Sequence, residues 1–186
     1  MQNNGVILWI GITRVGEKFL PSVLILELKL YLKITNQAYG RHTDNCYVMN
    51  IDDVKIIQLP KLTDPRGNLS FAEQKNHIPF EIKRTYWIYD VPGGESRGGH
   101  AYKEAEEFII ALSGAFDVIV DDGINRKTFT LNRSYFGLYI PKGLWREMTN
   151  FSTNSFALEF ASTLYSEKDY IRDYNEFVKF SGNEKA

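Results

Sequence analysis

From Val54 to Ser162 the chain is cut at short intervals by turn signals, and this punctuation restricts its fold more than any other feature. The breaks are Asp64-Pro65-Arg66-Gly67, Pro92-Gly93-Gly94, Ser113-Gly114, Asp121-Asp122-Gly123 and Pro141-Lys142-Gly143. Each carries a residue suited to a tight reversal, glycine for a positive φ or proline for a preset one. The segments between them are rich in β-branched and aromatic side chains. They predict strands at Val54–Leu59, Asn68–Glu73, Arg84–Tyr89, Glu107–Ser113, Ala115–Asp121, Lys127–Leu131, Phe136–Ile140, Trp145–Asn150 and Ser155–Ser162. Many short strands at close spacing predict an all-β sandwich or barrel. After Ser162 the period changes. Ser166 followed by Asp169 is a helix-start pattern, and Tyr170, Ile171, Tyr174, Phe177 and Val178 recur at helical spacing. One short C-terminal helix should close the domain against the outside of the sheets.

The 186 residues fit one domain, and a net charge of −1 provides no basic field for a long nucleic acid. A small anionic ligand is still allowed, since two or three placed arginines suffice for it. Residues 1–48 differ in character from the rest. Phe19 to Leu32 is leucine-rich, but Glu27 and Lys29 interrupt it, so no membrane span is expected. There is no basic segment followed by a small-residue cleavage site, so no secretory signal is expected either. Three readings of 1–48 stand open: a genuine extension, an amphipathic helix lying on a membrane surface, and an over-extended gene start with Met49 as the true first residue. No function is placed there, and residues 49–181 form the expected working domain. The only cysteine, Cys46, permits no intrachain disulfide, which suits a reducing, cytoplasmic setting. With three histidines in the chain (His42, His77 and His100), a multi-histidine metal centre is not expected.

Chemistry concentrates in two segments. The first runs Gly94-Glu95-Ser96-Arg97-Gly98-Gly99-His100-Ala101-Tyr102 and continues through Glu107 to Gly114. The second runs from Gly137 through Pro141-Lys142-Gly143-Leu144-Trp145-Arg146 to Asn150. Their spacing is similar to the two cupin motifs, with Tyr102 and Arg146 where metal-binding cupins carry histidines. On a strand, residues two apart share a face, so His100 and Tyr102 point the same way. Barrel closure would bring Arg146 towards them from a distant strand. A guanidinium stays protonated and repels a cation, so the set His, Tyr, Glu and Arg predicts no metal and no cofactor. What it can do is move a proton beside a carbonyl, with arginine stabilising the oxyanion. Of the adjacent Glu106 and Glu107 only one can face inward, and the spacing favours Glu107. Asp121 and Asp122 are read as turn residues, and His77 as a loop residue without a catalytic role. Trp87 and Trp145 could stack on a base or sugar ring or pack in the core, and Trp145 is kept as a candidate ligand contact.

From about Ile51 to Phe177 the chain resembles the WxcM-like family of dTDP-4-oxo-6-deoxyglucose 3,4-ketoisomerases. The resemblance rests on Asp64-Pro65-Arg66-Gly67-Asn68-Leu69, Ile82-Lys83-Arg84-Thr85-Tyr86-Trp87, Arg97-Gly98-Gly99-His100-Ala101, Leu138-Tyr139-Ile140-Pro141 and Glu167-Lys168-Asp169-Tyr170-Ile171-Arg172-Asp173-Tyr174. It implies a cupin-type β-barrel or jelly roll with a short C-terminal helix, working as a metal-free homodimer whose strands can be exchanged between subunits. It also implies a substrate, a dTDP-linked 4-keto-6-deoxyhexose whose keto group moves from C4 to C3 through an enediol, on the way to amino sugars of surface glycans. His100, Tyr102 and Arg146 are then the expected catalytic residues, and Arg66, Tyr86, Arg97, Glu107 and Trp145 the expected substrate contacts. The family's His-Ala-His signature reads His100-Ala101-Tyr102 here. His100 is therefore expected to be the base and Tyr102 a donor or relay. The other reading is a non-catalytic cupin that binds a sugar nucleotide or carbohydrate.

Overall fold

The computed structural model describes residues 50–182, so the expectations for 1–48, for a start at Met49, and for His42 and Cys46 lie outside the described residues. In chain order the strands are β1 (Lys55–Gln58), β2 (Lys61–Asp64), β3 (Gly67–Ser70), β4 (Arg84–Tyr89), β5 (Arg97–Tyr102), β6 (Glu107–Ser113), β7 (Phe116–Asp121), β8 (Arg126–Leu131), β9 (Phe136–Ile140), β10 (Trp145–Thr149), β11 (Phe156–Ala161) and β12 (Tyr170–Ile171). One α-helix follows, α1 (Tyr174–Phe180). Ten strands form two five-stranded antiparallel sheets, ordered β1-β9-β6-β11-β4 and β12-β5-β10-β7-β8. The remaining two, β2 and β3, make a separate hairpin. The expected all-β, cupin-type fold is what the chain adopts.

Alternation along the strands sorts the side chains. Ile109 and Ala111 of β6, Val118 and Val120 of β7, Leu138 and Ile140 of β9, Met148 of β10 and Ala157 of β11 meet between the sheets in one apolar core. Neighbouring inward positions on those strands are polar: Glu107 precedes Ile109, Arg146 precedes Met148, and Glu159 follows Ala157. All three are buried. The interior is thus apolar in one half and ionisable in the other, which departs from ordinary core composition. On the outer face of the first sheet Phe108 and Ile110 are covered by Leu59, Ile78 and Phe80.

Three strands were not expected from the sequence. β2 is four residues long and exposed, β5 holds two glycines and reads as strand only around His100 and Tyr102, and β12 falls inside the segment read as helical. The helix expected from Ser166 begins later, at Tyr174. Ser166 makes no side-chain capping bond, and only a single 3-10 turn forms at Glu167–Asp169. The Asp169 carboxylate is used elsewhere, accepting from the backbone N–H of Glu104 at 2.7 Å and of Ala105 at 3.2 Å. Tyr170 and Ile171 then pair with Tyr102 and Ala101 of β5. Asp173 caps the helix, its Oδ1 accepting from the Glu176 N–H at 2.9 Å.

Candidate active site

The site starts from two glycines. Along β5 and β10 the pairing runs Trp145 with Ala101, Arg146 with His100, then Glu147 with Gly98, so Gly99 is an extra residue in a β-bulge. Gly98 and Gly99 have φ of +84° and +69°, and a Cβ on Gly98 would sit 2.9 Å from the Arg146 carbonyl oxygen. Only glycine permits this turn of the backbone. The bulge sets His100 directly across from Arg146.

Around that pair the inward residues of five strands converge. The His100 ring lies 4.7 Å from the Tyr102 ring and 5.1 Å from the Tyr170 ring, centroid to centroid. The Tyr102 hydroxyl donates to the Tyr170 hydroxyl at 3.0 Å and lies 3.4 Å from that of Tyr86. Tyr86 in turn donates to Glu107 Oε1. The Arg146 guanidinium stacks 4.7 Å over the Tyr102 ring, and its Nε stands 3.4 Å from Glu107 Oε2. Arg84, two residues before Tyr86 on β4, lies over the Tyr86 ring at 5.0 Å.

The electrostatics follow from burial. Arg146 and Glu107 are each 1% exposed, yet Nε, Nη1 and Nη2 of the guanidinium all lack a hydrogen-bond partner among the described residues. The ion pair with Glu107 therefore leaves its donors short of hydrogen-bond partners, an arrangement suited to an incoming oxygen. Burial first, and the Arg146 charge next, hold the His100 imidazole down to about 3, so it is neutral across the physiological range. A backbone bond at Gly98 orients the ring, while Nε2 has no hydrogen-bond partner among the described residues. Such a ring has a lone pair to offer as a base. Burial, followed by the charge of Glu107, pushes the phenols of Tyr86 and Tyr102 far above their usual range. They hold their protons and can act as donors, not as bases. Among the described residues no three His, Cys, Asp or Glu side chains converge as a metal site.

Of the residues picked from sequence, His100, Tyr102, Arg146, Tyr86 and Glu107 come together. Glu107 faces inward and Glu106 outward, where Glu106 accepts from the Tyr139 hydroxyl. Trp145 is not brought to the cluster. Being next to Arg146 on β10, it faces the other way, packing with Ala101, Ile171 and Phe177 under the helix, and its indole N–H donates to Glu147 at 2.7 Å. Arg66 sits on the turn of the β2–β3 hairpin, 89% exposed and paired with Asp64 at 2.6 Å. Arg97 opens β5 as an exposed residue. Three further residues belong to the cluster. Arg84 and Glu159 lie two residues from inward-facing Tyr86 and Ala157 on strands the sequence does predict, so strand period could have found them. Tyr170 could not be found this way, because its apolar neighbours fit a helical stripe.

Comparison with known proteins adds to this geometry. Residues 52–182 match the family model described as FdtA, WxcM-like, C-terminal. The chain belongs to the WxcM-like family. Within it, the chain is similar to a TDP-4-oxo-6-deoxy-α-D-glucose-3,4-oxoisomerase of Aneurinibacillus thermoaerophilus, with 42% identity over 68% of this chain and 91% of the relative. It is also similar to the structure of a 3,4-ketoisomerase from Helicobacter canadensis, with 45% identity, a TM-score of 0.68, and coverage of 70% of this chain and 98% of the other. A third protein to which the chain is similar is QdtA, a sugar 3,4-ketoisomerase of Thermoanaerobacterium thermosaccharolyticum solved in complex with TDP. It is 33% identical with a TM-score of 0.70, covering 74% of this chain and all of that one.

Proposed function

We propose that this chain is a TDP-sugar 3,4-ketoisomerase, moving the keto group of a 4-keto-6-deoxyhexose from C4 to C3. The observation that carries the reading is the cluster of half-buried His100 with buried Tyr102 and Arg146, whose neutral imidazole Nε2 and guanidinium nitrogens have no hydrogen-bond partner among the described residues. His100 Nε2 takes the proton from C3, and the electron pair forms the C3–C4 double bond as the C4 carbonyl oxygen becomes an oxyanion. Arg146, with Arg84 behind it, stabilises that charge in a water-poor setting. O4 takes a proton from the Tyr102 hydroxyl, the O3 hydroxyl returns one to that relay, and His100, protonated in the first step, delivers a proton to C4. The carbonyl then stands at C3, with no net oxidation and no co-reactant. Tyr102 acts on the oxygens as donor and relay, passing protons along its contact with Tyr170.

The reaction needs no metal in this reading, because the fixed positive charge of Arg146 occupies the place where a cation would act. We further place the enzyme as a homodimer. The outer face of β4 exposes Trp87 and Tyr89 at 54% and 56%, an apolar surface that a second copy could cover. A partner copy would also give the exposed Arg66 hairpin something to reach, which makes Arg66 and Arg97 candidates for holding the anionic nucleotide.

The test is His100→Asn, which keeps ring-sized polarity without a proton-accepting nitrogen. Calorimetry should show that the variant still binds TDP, while its turnover falls by at least ~10³-fold. Wild-type turnover in this variant would remove His100 from the role of base.

A further inference from the structure

The mechanism above gives no role to Glu159, a buried carboxyl inside the same cluster. Glu159 is 2% exposed on β11, the strand between β4 and β6, and faces inward like Ala157 before it. Its backbone pairs with Tyr86 on one side and Ile109 on the other. The carboxyl therefore lies at the floor of the polar half, where it meets the apolar core. Glu159 Oε1 has no hydrogen-bond partner among the described residues, and neither has Glu107 Oε2. The Tyr86 hydroxyl, which donates to Glu107, borders Glu159 as well.

Two carboxylates this deep beside one phenol, of which Glu159 has an oxygen with no hydrogen-bond partner among the described residues, would be a costly arrangement if both were charged. One proton removes most of the cost, because a neutral acid is cheaper to bury and no longer repels its neighbour. We propose that Glu107 and Glu159 share a single proton, carried by Glu159, and that Glu159 in this neutral form is a positioning residue of the site. Glu107 then remains the one anion beside Arg146. Ionised, Glu159 would put a second negative charge on the same guanidinium and weaken its hold on an oxyanion at C4. The inference rests on the isomerase reading for this last consequence, but not for the shared proton itself.

The groups that act on Glu159 can be named from every side. They are Glu107 from β6, Tyr86 and Arg84 from β4, and Arg146 from β10. Beyond these stand His100 and Tyr102 of β5. The arginines remain cationic, the phenols lie above their normal range and His100 remains neutral, so none of these changes charge between pH 7 and 9. Burial, then the charge of Glu107, raise the Glu159 carboxyl to about 8. Its ionisation falls inside that window.

The experiment compares kcat at saturating substrate from pH 7 to 9 in the wild type and in Glu159→Gln, which fixes a neutral side chain of the same shape. The wild type should lose about tenfold in kcat over that range, and the variant less than about twofold, whatever its absolute rate. An alkaline fall of the same size in Glu159→Gln overturns the proposal. Infrared spectra of the ligand-free wild type supply a reading independent of turnover. A protonated-carboxyl carbonyl band should be present at pH 7 and vanish through pH 8. Its absence at pH 7 overturns the proposal even if the variant fails to fold. If the band behaves as expected but the wild type isomerises nothing, the shared proton stands and the isomerase reading is what fails.

Discussion

His100 is the residue on which burial has the clearest consequence beyond catalysis. Its imidazole is held down to about 3 in the folded chain, against 6.5 when unfolded. Between those values the unfolded state binds a proton that the folded state refuses, so stability falls as the pH drops through the window and is intact above it. Denaturation at pH 7 and pH 4 should show the wild type losing about 1–3 kcal/mol more than His100→Asn over that interval. Equal losses would mean that the ring is solvated and titrates normally. The residues of this site were largely readable from the sequence for a physical reason. His100 and Tyr102 share a strand face by alternation alone, and the Gly98-Gly99 pair beside them signals a backbone that side chains would obstruct. Trp145, next to Arg146 on the same strand, faces the other way and packs in the core, one of the two readings its sequence left open.

At the scale of elements, the segment after the barrel does more than close it. Asp169 fixes the turn at Glu104 and Ala105 and is followed directly by Tyr170, the partner of the Tyr102 hydroxyl. Asp169→Ala should lower stability by ~1–2 kcal/mol in urea unfolding, from the loss of two hydrogen bonds to a carboxylate. It should also lower kcat, because β12 then holds Tyr170 less firmly. Asp169→Asn, which retains one acceptor oxygen, should recover part of both; unchanged stability in Asp169→Ala would show the turn to be held by other contacts. Sequence period could not foresee this. Tyr170, Ile171, Tyr174 and Phe177 fit a helical stripe, but pairing with β5 takes the first two, and only a tertiary contact reveals that. Strands β4, β6 and β9 were legible to the residue because they alternate or run apolar between clear breaks. β5 was not, being mostly glycine and polar side chains that enter a strand only because β10 pairs with them.

At the largest scale, the described residues hold an ionisable half-core between two sheets, with an apolar outer face beside it. Light scattering should give the mass of two chains for the wild type and of one for Trp87→Glu at equal concentration. A wild-type monomer would send the Arg66 hairpin back to a role within its own chain. Among the described residues no helix is long and apolar enough to cross a membrane. The central claim is that this interior moves hydrogen between adjacent carbons of one sugar. Its most direct test is to incubate the protein with TDP-4-keto-6-deoxyglucose in deuterium oxide and follow the sugar by NMR. The account predicts a 3-keto product carrying deuterium at C4. A sugar nucleotide that binds, keeps its C3 hydrogen and remains a 4-keto compound would contradict it.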